Sequence, residues 1–154
     1  MTRYELFKLI HLLGVIGWVG GGVGLLILHH RMVTARDAQG LAAFQRQSQA
    51  LGTWLFFPAF VLTLGGGIAM VATESFLSFT DLWILIGFGG IVASGVAEGL
   101  VAGPAGKRYA AAVEAHGIES KEALDAASRT ALGPTLDMVA LLVVVWAMVV
   151  KPVL

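Results

Sequence analysis

Four stretches of about twenty residues are apolar almost throughout, and their number and length constrain this chain more than any other feature. A hydrocarbon layer about 30 Å thick needs about 20 residues of helix to cross it. Inside that layer each backbone N–H and C=O must find its partner within the segment, so each stretch is expected to be a spanning helix. The four run from about Tyr4 to Leu28, Leu51 to Thr73, Leu82 to Val101 and Ala131 to Val150. The second carries no charge, the third is interrupted only by Glu98 and the fourth only by Asp137. The first holds twenty residues without a formal charge from Leu9 to Leu28, with Glu5, Lys8 and His11 marking its start as polar.

Composition agrees. The chain is 57% hydrophobic and 13% charged, where a soluble domain is about a quarter charged. Its ten basic and ten acidic residues cancel, which gives no attraction to nucleic acid. With no cysteine there is no disulfide framework, thiolate metal site or nucleophilic thiol. The apolar run of the first segment is too long for a signal peptide, and no small-x-small site follows His29-His30-Arg31, so this helix is expected to remain in the mature protein. The fold class is therefore all-α: residues 1–154 form one polytopic membrane domain, a bundle of four transmembrane helices.

The connections differ in kind. Leu41, Phe44 and Leu51 recur at helical spacing between the first and second spans and predict a short interfacial helix. Residues 74–81 are short enough for a tight hairpin. Between the third and fourth spans Gly117 separates two alanine-rich stretches, and Ser120 can cap the second, which predicts two short surface helices. Seven lysines and arginines lie in the two long loops and three on the other side. Since cytoplasmic loops carry the excess, both long loops are expected in the cytoplasm and both termini outside, across a bacterial inner membrane.

Twenty glycines are many for helices. In lipid, small residues let backbones approach, and Gly17/Gly21, Gly20/Gly24 and Gly95/Gly99/Gly103 have the spacing for packing seams, within one bundle or between copies in a homo-oligomer. The alternative is that the glycine triplets form hinges or leave room for a flat cofactor.

Polar groups within the spans form two sets. At 100° per residue His11, Val15, Trp18, Gly22, Leu25 and His29 share one face, but eighteen residues separate the histidines by about 27 Å. They cannot ligate one metal within a single copy of the chain. Tyr4, Lys8 and His11 belong with Lys151 at the terminal end, either as snorkelling and belt residues or as a site for an anionic ligand. His29, His30, Glu98 and Asp137 agree in depth at the loop end. Two carboxylates and two imidazoles there either bind a divalent cation, relay protons, or pair with surface bases.

Tyr4-Glu-Leu-Phe-Lys8-Leu-Ile-His11-Leu-Leu-Gly14-Val-Ile-Gly17-Trp18-Val-Gly20-Gly21, Pro58-Ala-Phe-Val-Leu-Thr-Leu-Gly65, Gly133-Pro134-Thr135 and Val149-Val150-Lys151-Pro152 resemble an uncharacterised bacterial family of small predicted integral membrane proteins. More distantly the chain is similar to HemJ-type protoporphyrinogen oxidases and CopD membrane domains, four-helix architectures in which Lys-x-x-His opens the first helix. That resemblance implies haem binding at His11, with Lys151 as the characteristic lysine. Gly22-Val-Gly24-Leu25 and Gly89–Gly95 depart from the HemJ pattern, so the shared scaffold, not porphyrinogen oxidation, is what it implies. Two functions follow as expectations. One is a haem-associated or redox-related membrane protein, with haem b held by His11, Lys8 and Lys151. The other is a noncatalytic subunit or a transport-related protein handling an ion, proton or metal at Glu98 and Asp137, with His29 and His30 beside them.

Overall fold

The computed structural model describes residues 1–152. Its elements are α1 (Arg3–Ala35), α2 (Ala38–Leu51), α3 (Gly52–Thr73), α4 (Leu82–His116), α5 (Lys121–Arg129) and α6 (Leu132–Val150), with no strand among the described residues. Helices α1, α3 and α4 and the segment Lys121–Val150 are long and apolar enough to cross a membrane.

Local chemistry explains the ends. Thr2 Oγ1 accepts from the Glu5 amide while Glu5 Oε2 accepts from the Thr2 amide, a reciprocal cap on α1. Ser120 Oγ accepts from the Ala123 amide at 3.1 Å and starts α5, and Gly117 ends α4 at φ 84°, as the sequence led us to expect. Arg36 closes α1 in the left-handed region at φ 52°. Asp37 then starts α2 by accepting from the Gly40 amide at 2.8 Å.

Two helices are longer than the hydropathy pattern implied. Helix α4 continues through Gly103 to His116, where a separate surface helix was expected, and α1 runs on to Ala35. At 33 and 35 residues both measure about 50 Å and stand about 20 Å clear of a 30 Å hydrocarbon layer. In that protruding part Leu41, Tyr109, Ala123 and Ala127 form a small buried core joining α2, α4 and α5. Helix α2, expected as a separate interfacial helix, instead leads straight into α3, so that residues 38–73 form one continuous rod.

Three helices contain a widened π-type turn, at Ile16–Gly20, Gly52–Phe56 and Ala97–Ala102. Two have an evident cause. Pro58 and Pro104 lie just beyond them and have no N–H to give the carbonyls of Trp54 and Leu100, which their rings would crowd in a regular helix. The wider turn relieves that conflict. The third has no proline; Gly17, Gly20 and Gly21 make it easy to deform.

The bundle is two close pairs, α1 with α3 and α4 with α6. A Cβ on Gly66 would come within 2.8 Å of the His11 amide nitrogen and 2.9 Å of the Phe7 carbonyl oxygen, and one on Gly14 within 2.7 Å of the Ala59 carbonyl oxygen. Backbones therefore touch at this crossing. Gly133 plays the same part against Ala102 in the second pair, with 2.7 Å to its amide nitrogen. The seams differ from those expected: Gly17 and Gly21 do meet α3 at Ala59 and Leu55, but Gly20, Gly24, Gly95 and Gly99 meet nothing within 4 Å. Spacing alone does not reveal which side of a helix faces a neighbour. Helices α3 and α4 make no extended contact, and a gap runs between the two pairs.

Candidate functional site

That gap divides into two chambers. Trp18 and Ile91 line both and form the septum between them. Trp18 is held edge-on against Phe60, with ring centroids 5.6 Å apart. From α1, Lys8, His11 and Val15 face one chamber and Gly22, Leu25 and His29 the other. The shared face read from the sequence is therefore the face that lines the gap.

The first chamber, about 360 Å³, lies towards the chain ends and gathers His11, Lys8 and Lys151, the three residues expected to act together. His11 Nδ1 donates to the Thr63 carbonyl at 2.7 Å, since a carbonyl can only accept. In a neutral imidazole this fixes the tautomer and leaves Nε2 with its lone pair, and it orients the ring as ligating histidines are oriented. Gly67 makes room: a Cβ there would be 3.3 Å from Nδ1. Thr63 Oγ1 is buried without a partner, close to Gly14 of α1. Lys151, in the left-handed region at φ 50°, carries its Nζ over the Trp83 ring at 5.0 Å, and Lys8 Nζ lies 5.7 Å from the Tyr4 centroid. The remaining wall is mostly apolar and includes no carboxylate.

The second chamber, about 490 Å³, has the opposite sign. Glu98, Asp137 and His29 line it, with no lysine or arginine. Asp137 accepts a short hydrogen bond from the buried hydroxyl of Ser94, which ties α6 to α4. His29 is 4% exposed. Thr130 Oγ1 gives its proton to the Ala127 carbonyl at 2.8 Å and accepts from His29 Nε2 at 3.0 Å. His29 Nδ1 is then a bare acceptor, buried and unpartnered. His30 does not join this group. It is exposed, because adjacent helical residues project about 100° apart. Among the described residues no three of His, Asp and Glu are arranged to hold a metal ion, so the four residues expected as a cluster do not form one coordination sphere.

All three π-type turns contribute to this second chamber, through Trp18, Gly52, Phe56, Glu98 and Ala102. Sequence reasoning missed Thr63, Ser94, Thr130 and the aromatic wall of Phe44, Phe56 and Phe60. Thr63, at the middle of its apolar span, and Ser94, the lone hydroxyl of the third, were visible in the sequence, as were Pro58 and Pro104 as interruptions inside helices.

A family model described as predicted integral membrane protein (DUF2269) matches residues 5–152. No curated protein and no solved structure matches the chain.

Proposed function

We propose that this chain, which belongs to the DUF2269 family of predicted integral membrane proteins, holds a flat, apolar, anionic cofactor of the haem type in its His11 chamber. The observation that carries the reading is the 2.7 Å hydrogen bond from His11 Nδ1 to the Thr63 carbonyl, which leaves Nε2 free as an axial ligand. The surroundings fit such a group. Gly67 leaves space beside the imidazole, the wall is largely apolar, and Lys8 and Lys151 offer cations to carboxylate substituents. His11 would bind the iron, and the two lysines would orient the acidic edge. A haem bound there supplies one-electron chemistry; the chain's own part is to hold it and to exclude water from the Trp18 side. The positive-inside bias would put this chamber on the outer face of the bacterial inner membrane, with both termini. Gly20, Gly24 and Gly99, open in the single chain, would serve contact between copies, whereas Gly95 opens into the second chamber.

The test is an absorption spectrum of protein purified in mild detergent, before and after haem is supplied, oxidised and reduced. The reading expects a Soret band that disappears in His11→Ala and weakens in the Lys8→Ala, Lys151→Ala double variant. No Soret band after haem addition refutes it.

A second reading rests on the other chamber: Glu98 and Asp137 take up a cation or proton, as in a transport-related protein or a noncatalytic subunit. Support comes from both carboxylates lining one cavity free of lysine and arginine. Cation-dependent thermal stabilisation that is lost in Glu98→Gln is the expected result, and stabilisation unchanged in that variant overturns it.

A further inference from the structure

The His29 chamber has a donor–acceptor inventory that narrows its occupant. Two carboxylates, Glu98 and Asp137, face a cavity of about 490 Å³, within the roughly 300–1,000 Å³ of small-molecule sites. Such a pair disfavours anions. His29 adds a third acceptor, because its Nε2 proton is committed to Thr130 and its buried Nδ1 has no partner. A buried acceptor left unpaired costs about 1–3 kcal/mol, so the group that fills this chamber is expected to bring an N–H or O–H donor to it. The walls favour a poorly hydrated cation over a strongly hydrated one. Trp18, Phe44, Phe56 and Phe60 line the same cavity, with Phe44 tilted against His29 at 5.4 Å between ring centroids. Aromatic faces attract a poorly hydrated organic cation.

We propose that the His29 chamber binds a lipophilic, N–H-bearing organic cation, of the arylalkylammonium or amidinium class. Its charge faces Glu98 and Asp137, an N–H reaches His29 Nδ1, and its apolar part lies along the aromatic wall. This deepens the second reading and rests on its premise that the two carboxylates take up a cation. It does not depend on a haem at His11, which lies beyond the Trp18–Ile91 septum.

The experiment is isothermal titration of the full chain in lipid nanodiscs with a matched pair of probes, 4-phenylbutylammonium and its N,N,N-trimethyl analogue, empty nanodiscs serving as the blank. Both carry one positive charge and the same apolar tail; only the first has N–H groups. The proposal expects saturable 1:1 binding of the ammonium, at least tenfold tighter than its analogue, and at least tenfold weaker in Glu98→Gln and in Asp137→Asn. His29→Phe should erase the preference between probes, and His29→Gln, which restores an acceptor, should recover part of it. Equal affinity of the two probes for the unaltered protein overturns the N–H assignment while leaving the cation premise standing. Heats equal to the empty-nanodisc blank, or affinities unchanged in both carboxylate variants, overturn the premise as well. The probe comparison is made on the unaltered protein, so it decides the question even if a variant fails to fold.

Discussion

Replacing Gly66 by alanine adds one methyl group where two backbones already touch. That methyl would lie 2.8 Å from the His11 nitrogen and 2.9 Å from the Phe7 oxygen, against about 3.5 Å for an ordinary contact. Neither obstacle is a side chain that can rotate away, so α1 and α3 must part by roughly 0.7 Å. A gap of that size forfeits about a quarter to a half of each contact's attraction along the crossing, and overpacking of this kind costs about 1–3 kcal/mol. Gly65 is the control, since nothing lies within 4 Å of its added Cβ and it sits in regular α-helix. There alanine's higher helix propensity, worth up to about 1 kcal/mol, acts unopposed. Thermal unfolding in detergent, followed by circular dichroism, should show Gly66→Ala melting roughly 2–12 °C lower, at about 2–4 °C per kcal/mol, and Gly65→Ala unchanged or higher. If Gly66→Ala melts with the unaltered protein, or Gly65→Ala falls as far, then backbone contact is not what joins this pair. Because the same crossing aims His11 at Thr63, Gly66→Ala should also weaken any Soret band in proportion.

Four further outcomes follow from local geometry. Ser94→Ala leaves the Asp137 oxygen that accepts the Ser94 proton without its donor and should cost about 1–3 kcal/mol in a melting experiment. Gly117 holds φ 84° and ψ 162°, a region only glycine enters readily, so Gly117→Ala should cost about 1–3 kcal/mol, whereas Arg36→Gly, at φ 52°, should gain about 1 kcal/mol. Pro104→Ala restores an amide able to pair with the Leu100 carbonyl; amide exchange should show new protection at residue 104 and altered protection across Ala97–Ala102.

Much of this was legible because lipid enforces it. Four apolar runs of spanning length leave few alternatives, and the polar residues they contain had to face one another. Lys8, His11 and Lys151 thus meet in one chamber, and Glu98, Asp137 and His29 in another. The helix extensions were hidden because Gly103–His116 is alanine-rich and charged, and hydropathy registers where the membrane ends, not where the helix does. His30 separated from His29 for a reason the helical repeat contains. The true glycine seam did not: Gly14 and Gly66 are set apart from Gly20 and Gly24 only by what lies opposite them. No periodicity within one helix reports its neighbour.

The unbroken run from α2 into α3 has a mechanical consequence. Phe44, near one end of this rod, and Phe60, farther along it, both belong to the wall of the His29 chamber, while the Gly14–Gly66 crossing pins the rod near its other end. That arrangement is a lever whose fixed arm lies in the membrane: α1 meets it at Leu55, Ala59 and Gly66, and the widened turn at Gly52–Phe56 is where it can bend on the way to Phe44. The helical path from Phe56 to Phe44 is about 18 Å, so a bend of about 5° at that turn would carry Phe44 by about 1.6 Å and change the aperture of the His29 chamber.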